Sequence, residues 1–143
     1  MLFKLPAAWL MGVNVILINN SDCICTLKYR WINQNPFKSI FWAAQGMAAE
    51  FATGALLMRE IELSKKNISM LLVDVEAKFI KKAIGKISFK CNKGLMIKEK
   101  VSSLNSQKTK STMWIDSIGV DESGQEVSKF KFNWSILLKN NST

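Results

Sequence analysis

From Ser39 to Met58 the chain runs for twenty residues without a proline and with almost no polar side chain, and this stretch limits the folds open to it. At about 1.5 Å per residue, a helix of that length would nearly cross a bilayer. Glu50 at its middle argues against a membrane span, because a lone carboxylate in lipid is costly. The segments on either side alternate like strands that need an apolar partner in water. A helix apolar all round is most simply one buried all round. Small residues, Ala43, Ala44, Gly46, Ala48 and Gly54 among them, let sheet backbones or a second copy come close. Pro36 starts the helix or lies just before it, and Asn35, preceding proline, is pushed toward an extended conformation.

Strands are expected on both sides. "CICTLKYRW" places Cys23, Cys25, Leu27, Tyr29 and Trp31 on one face and Thr26, Lys28 and Arg30 on the other, the pattern of a half-buried strand. In "LLVDVEAKFIKKAIGKISFKC" Val73, Val75, Ala77 and Phe79 point inward. Ile87, Phe89 and Cys91 do the same after a turn at Ala83 to Gly85, so the two runs form a hairpin. "KTKSTMWIDSIGV" and "EVSKFKFNWSILL" make a second pair around "DESGQ", with Phe130, Phe132, Trp134, Ile136 and Leu138 on one face. Lys93 to Gln107 reads as a short helix or a loop crossing an end of the sheet. The opening "MLFKLPAAWLMGVNVILINN" is broken by Pro6, Gly12 and Asn14 and has no small-x-small cleavage site. It reads as a short helix near Pro6 to Met11 leading into a strand from Val13 to Ile18, rather than as a secretion signal.

Composition narrows the chemistry. The chain holds no histidine, so a Ser-His or Cys-His nucleophile pair is impossible and the usual zinc and haem sites are disfavoured. Its three cysteines form no obvious disulfide spacing and read as reduced, buried structural thiols of a cytoplasmic protein. The net charge of +9 is uneven: residues 1–60 carry 5 basic and 3 acidic groups, residues 61–143 carry 15 and 8. Such a balance suits nucleic acid, acidic lipid, a phosphorylated small molecule or water alone. No nucleic-acid motif is present, and the tryptophans and phenylalanines fall mostly on inward faces of strands or in the helix, so nucleic acid is not expected as a partner. A chain of 143 residues fits one domain, 1–143, and buries about two thirds of the surface its unfolded form exposes.

Two strands, a long buried helix and four more strands resemble the hot-dog fold. The likeness runs from Leu5 to Lys139 and is carried by residues 33–54 and by "VEAKFIKKAIGKISFKC". It is greatest to the thioesterase-like hot-dog proteins of unknown function that share a "NPF.S....A...AAE..TG" segment. The resemblance implies an α+β fold, with an antiparallel sheet wrapped around one long central helix. It also implies assembly as a homodimer or a dimer-based tetramer, hydrolysis of an acyl-CoA thioester, and no cofactor or metal.

In the related phenylacetate-type thioesterases an Asn precedes a His-Gly-Gly at the helix start, and an acid follows 15 positions after the Asn. Asn35 and Glu50 keep that spacing, while Phe41 stands where the family has His, and Trp42 and Ala43 where it has the glycines. By this resemblance Glu50 activates water or attacks the thioester, Asn35 orients the reactants, and the backbone N–H of Trp42 polarises the carbonyl, a contact that needs no side chain. Phe41 lies beside the substrate, and the Trp42 indole narrows the acyl or pantetheine path. Lys81, Lys82 and Lys86, with Lys90 and Lys93 beyond, fall where the phosphates of coenzyme A lie, although ordinary solvated lysines would look the same. Two alternatives stay open: a structural Glu50 satisfied by a backbone or lysine partner, and a non-catalytic hot-dog module that binds an acyl-CoA or a lipid-like ligand.

Overall fold

The computed structural model describes residues 4–140, so the first three residues of the apolar N-terminal run lie outside it. Pro6 occupies the first turn of helix α1 (Pro6–Leu10), where its missing N–H costs nothing. Gly12, at φ +86°, then turns the chain into β1 (Asn14–Ile18). Next come β2 (Cys23–Lys28), a 3₁₀ turn (Trp31–Asn33), α2 (Trp42–Ser64), β3 (Ile68–Phe79), β4 (Lys86–Cys91), α3 (Gly94–Ser102), β5 (Lys110–Val120) and β6 (Glu126–Leu138). The six strands form one antiparallel sheet in the order β1-β2-β4-β5-β6-β3, and α2 lies across its middle against β2, β4 and β5. This is the α+β hot-dog arrangement that the sequence resembles. No helix among the described residues is long and apolar enough to cross a membrane.

The alanines do what small residues are expected to do. Ala44, Ala48, Ala49 and Ala52 are fully buried against Cys25, Leu27, Phe89 and Ile115, so the helix sits close to the sheet. Cys23, Cys25 and Cys91 are buried, unbridged thiols of this core, and desolvation pushes the Cys91 thiol up to about 12. The β5–β6 hairpin is as expected. Asp121 Oδ1 accepts hydrogen bonds from the backbone N–H groups of Ser123 and Gln125, and Gly124 takes φ +82°.

Four expectations need correction. The helix begins at Trp42, six residues beyond Pro36 rather than at or next to it, because residues 35–39 close a turn of their own, and it runs on to Ser64. The hairpin from β3 to β4 does not exist. β3 instead pairs with β6 over almost its whole length, and residues 80–85 carry the chain across the end of the sheet to β4, in its middle. Ile80 and Lys81 both donate backbone hydrogen bonds to Val127 O, which binds the start of this crossing to β6. The inward face of β3 is also open at its C-terminal end: Val75 is 50% and Phe79 48% exposed, whereas Ile68, Met70 and Leu72 pack on the core, and Val73 sits at a bulge. Finally, β2 stops at Lys28 and Trp31 is 83% exposed. Of the five tryptophans only Trp134 is buried.

Candidate functional site

The turn before α2 is held by one side chain. Asn35 Oδ1 accepts hydrogen bonds from the backbone N–H groups of Phe37 (3.0 Å) and Ser39 (3.2 Å), and Nδ2 donates to Ser39 Oγ at 2.9 Å. Asn35 N–H also donates to Ser39 O, and Lys38 adopts φ +58°. The turn delivers Phe41 in an extended conformation to the N-cap of α2, where no side chain caps the helix. The N–H groups of Trp42 and Ala43 therefore have no partner among the described residues, and the positive end of the helix dipole stays open.

Trp42, at the start of the helix, lines a cleft of 570 Å³ with Asn35, Phe37, Phe41, Phe79, Lys81 and Lys82. Five of the seven site residues named from the sequence thus lie together. Lys81 is committed elsewhere: its ammonium pairs with Asp121 and donates to Gln125 Oε1 at 2.6 Å, and this pairing holds the Asp121 carboxyl well below the usual range. Lys82 has no salt bridge or side-chain hydrogen bond among the described residues. Lys86 belongs to a different hollow, with Lys28, Ser88 and Glu122, and its backbone N–H donates to Glu122 Oε1 at 3.0 Å.

Glu50 stands apart from the cleft. It lies eight residues beyond Trp42, about 12 Å along the helix axis. Its neighbours one turn away on either side, Gly46 and Gly54, face β6: a Cβ on either would stand 3.6 Å from the Phe130 ring or 3.3 Å from the Trp134 ring. Glu50 shares that ridge. The carboxylate is half-buried, meets no hydrogen-bond or ion-pair partner among the described residues, and is raised above its ordinary pKa by desolvation. The helix there is fixed by Thr53, whose hydroxyl donates to Glu50 O at 2.9 Å and accepts from Trp134 Nε1 at 3.0 Å.

Sequence reasoning missed Gln45, Phe37, Phe79 and Ile80 as cleft residues. Gln45 is buried beneath the cleft, donating to Ile40 O at 3.0 Å and accepting from Ser128 Oγ at 2.9 Å, so it ties the helix start to β6. Its one legible sign is being the first polar side chain of the helix, one turn from the start. Among the described residues no group of three His, Cys, Asp or Glu side chains could hold a metal ion.

Solved structures share this fold at low identity. A Pseudomonas aeruginosa protein described as a probable thioesterase is 15% identical, with a TM-score of 0.80 over 96% of this chain and 92% of its own. A Staphylococcus aureus thioesterase is 13% identical, with a TM-score of 0.70 over 90% of this chain and 96% of its own. A Haemophilus influenzae thioesterase is 10% identical, with a TM-score of 0.70 over 95% and 87%. In the S. aureus protein a Gln and a Glu fifteen positions apart have each been changed to Ala in crystallised variants. No curated protein matches the sequence. Residues 1–136 match the family profile described as domain of unknown function DUF4442, and the chain belongs to that family.

Proposed function

We propose that the protein hydrolyses an acyl-CoA or similar acyl thioester at a site assembled from two copies of the chain. The observation that carries this reading is the uncapped start of α2, open on an aromatic cleft, eight residues before an unpartnered, desolvated carboxylate on the same helix. A helix start with free N–H groups is suited to a developing oxyanion, and a carboxylate with a raised pKa is a stronger base than an ordinary one. At about 12 Å apart the two cannot serve one carbonyl within one chain.

A second copy removes that distance. β3 ends the sheet, with one side unpaired and its inward face exposed from Val75 to Phe79, and pairing that side antiparallel with β3 of another copy would continue the sheet and bring the two α2 helices together in opposite directions. A crossing centred on Gly46 then sets Trp42 opposite the partner's Glu50. In that site the partner's Glu50 takes a proton from water, whose oxygen attacks the thioester carbon. The carbonyl oxygen gains charge against the Trp42 N–H. The tetrahedral intermediate collapses with cleavage of the C–S bond, and the proton held by the carboxyl goes to the departing thiolate. Asn35 shapes the loop before the helix, and Lys82 is the cleft's free cation for a coenzyme A phosphate. The Gln and Glu varied in the S. aureus thioesterase have the separation of Asn35 and Glu50, which supports testing this pair together.

A panel of acyl-CoAs, assayed with a thiol-reactive dye, tests the reading. Turnover that Glu50→Gln lowers supports it. Tight acyl-CoA binding without release of thiol would make the protein a binding module instead.

A further inference from the structure

We propose that α1 and β1 form a docking face for a bilayer with anionic headgroups. Val15, Ile16, Leu17 and Ile18 put apolar side chains on both faces of an edge strand, and all four are exposed, Ile16 by 61%. A strand apolar on both faces is normally covered on both. Beside it α1 presents Trp9 and Leu10, each about half exposed, and between these elements and α2 runs a groove of 800 Å³ floored by Phe51 and Met58. Continuous apolar surface of this kind marks a place where something docks.

Charge selects the occupant. Residues 4–21 contain no acid and one cation, Lys4. The Arg30 guanidinium lies beside Gly12 at the α1–β1 turn, and Arg59 lines the groove. The acids nearby are Glu62 in the groove, Glu60, which pairs with Arg59, and Asp22, which pairs with Lys90. Arg59 is offset by Glu60, so Lys4 and Arg30, which form no ion pair among the described residues, outnumber Glu62 on this face. Anionic headgroups meet them with opposite charge while the apolar side chains enter the acyl boundary, and a tryptophan at the rim suits that depth. Neither α1 nor β1 is long enough to span, so the chain would lie on the surface. β1 and β3 are opposite ends of the strand order, so this face stays open in the dimer proposed above and does not depend on it.

Co-sedimentation of the whole protein with phosphatidylcholine vesicles, with and without phosphatidylglycerol, tests this. Binding is expected with phosphatidylglycerol only, weakened by salt, and at least tenfold weaker in both Leu10→Glu and Ile16→Glu, with melting temperature and oligomeric mass unchanged. Absence of binding, or equal binding by both variants, would overturn it. So would a lower oligomeric mass of either variant without lipid, which would assign the face to a second copy. Saturable uptake of dispersed palmitate without vesicle binding would overturn it in favour of a single amphiphile in the groove.

Discussion

At the scale of the residue, Glu50 combines two properties that oppose each other. Burial raises its carboxyl, so the folded chain holds that proton more tightly than the unfolded chain does. Stability linked to this group is complete below the ordinary carboxylate pKa and is lost as pH rises through the raised value. Glu50→Gln should therefore melt higher than the wild type at neutral pH, with the gap closing toward pH ~4, where both side chains are neutral; thermal melts across that interval check it. Turnover should fall by roughly 10²-fold or more in the same variant, the scale of general acid–base catalysis, with acyl-CoA affinity little changed. Equal turnover would leave Glu50 a structural residue. Asn35 has a different signature. Its amide is occupied by Ser39 and the Phe37 N–H, so Asn35→Ala should cost about 1 kcal/mol of stability as well as activity, by loosening the turn that presents Trp42. Denaturant melts of the variant measure that loss. The 15-residue spacing of the pair was legible in the sequence. The engagement of Asn35 in its own turn was not, because it depends on a positive φ at Lys38 that no spacing encodes.

At the scale of the element, the helices are set by close approaches and caps that apolar pattern does not reveal. α3 reads weakly in sequence; Ile97 and Val101 bury it in the core, and a contact at each end fixes its position. Lys66, just beyond α2, donates from Nζ to the carbonyls of Val101, Ser102 and Leu104 at 3.3, 3.1 and 2.8 Å, a cation closing the C-terminal end of α3. Gly94 at its other end lies so close to the β1–β2 turn that an added Cβ would run into Asn20 O and stand 2.7 Å from Ser21 Cα. Lys66→Met should cost roughly 1–3 kcal/mol, the worth of hydrogen bonds to a charged group. Gly94→Ala should cost about as much by overpacking against backbone that cannot rotate away. Chemical denaturation of each variant checks both, and near wild-type stability of Gly94→Ala would mean that α3 shifts freely. The false hairpin is an error at the same scale. β3 and β4 each alternate correctly, but alternation fixes a strand's faces and not its neighbour. The long β6 offers β3 eleven paired positions, whereas the chain between β3 and β4 is held across the sheet end.

At the scale of the whole molecule, the exposed Val75–Phe79 end of β3 and the separation of Trp42 from Glu50 are both met by the proposed dimer. Light scattering at micromolar concentration should give twice the mass of one chain or a multiple of that. Val75→Arg, which places a charge on the face to be covered, should give monomer and lose turnover together. A monomeric wild type that still hydrolyses thioesters would show that one chain suffices. By itself the sequence determined the long buried helix, the strands and their alternation, the β5–β6 hairpin, the absence of histidine chemistry and the 15-residue spacing between Asn35 and Glu50. These follow from periodicity, turn residues and composition, all of which are local. Only the tertiary structure decided that β3 lies at the edge beside β6, that Phe37, Phe79 and Gln45 join the cleft, that Lys81 is spent on Asp121 while Lys86 faces elsewhere, and that α1 and β1 remain uncovered. Each of these depends on which distant segment arrives beside which, and so on the competition among many near-equivalent strand pairings that a local pattern cannot rank.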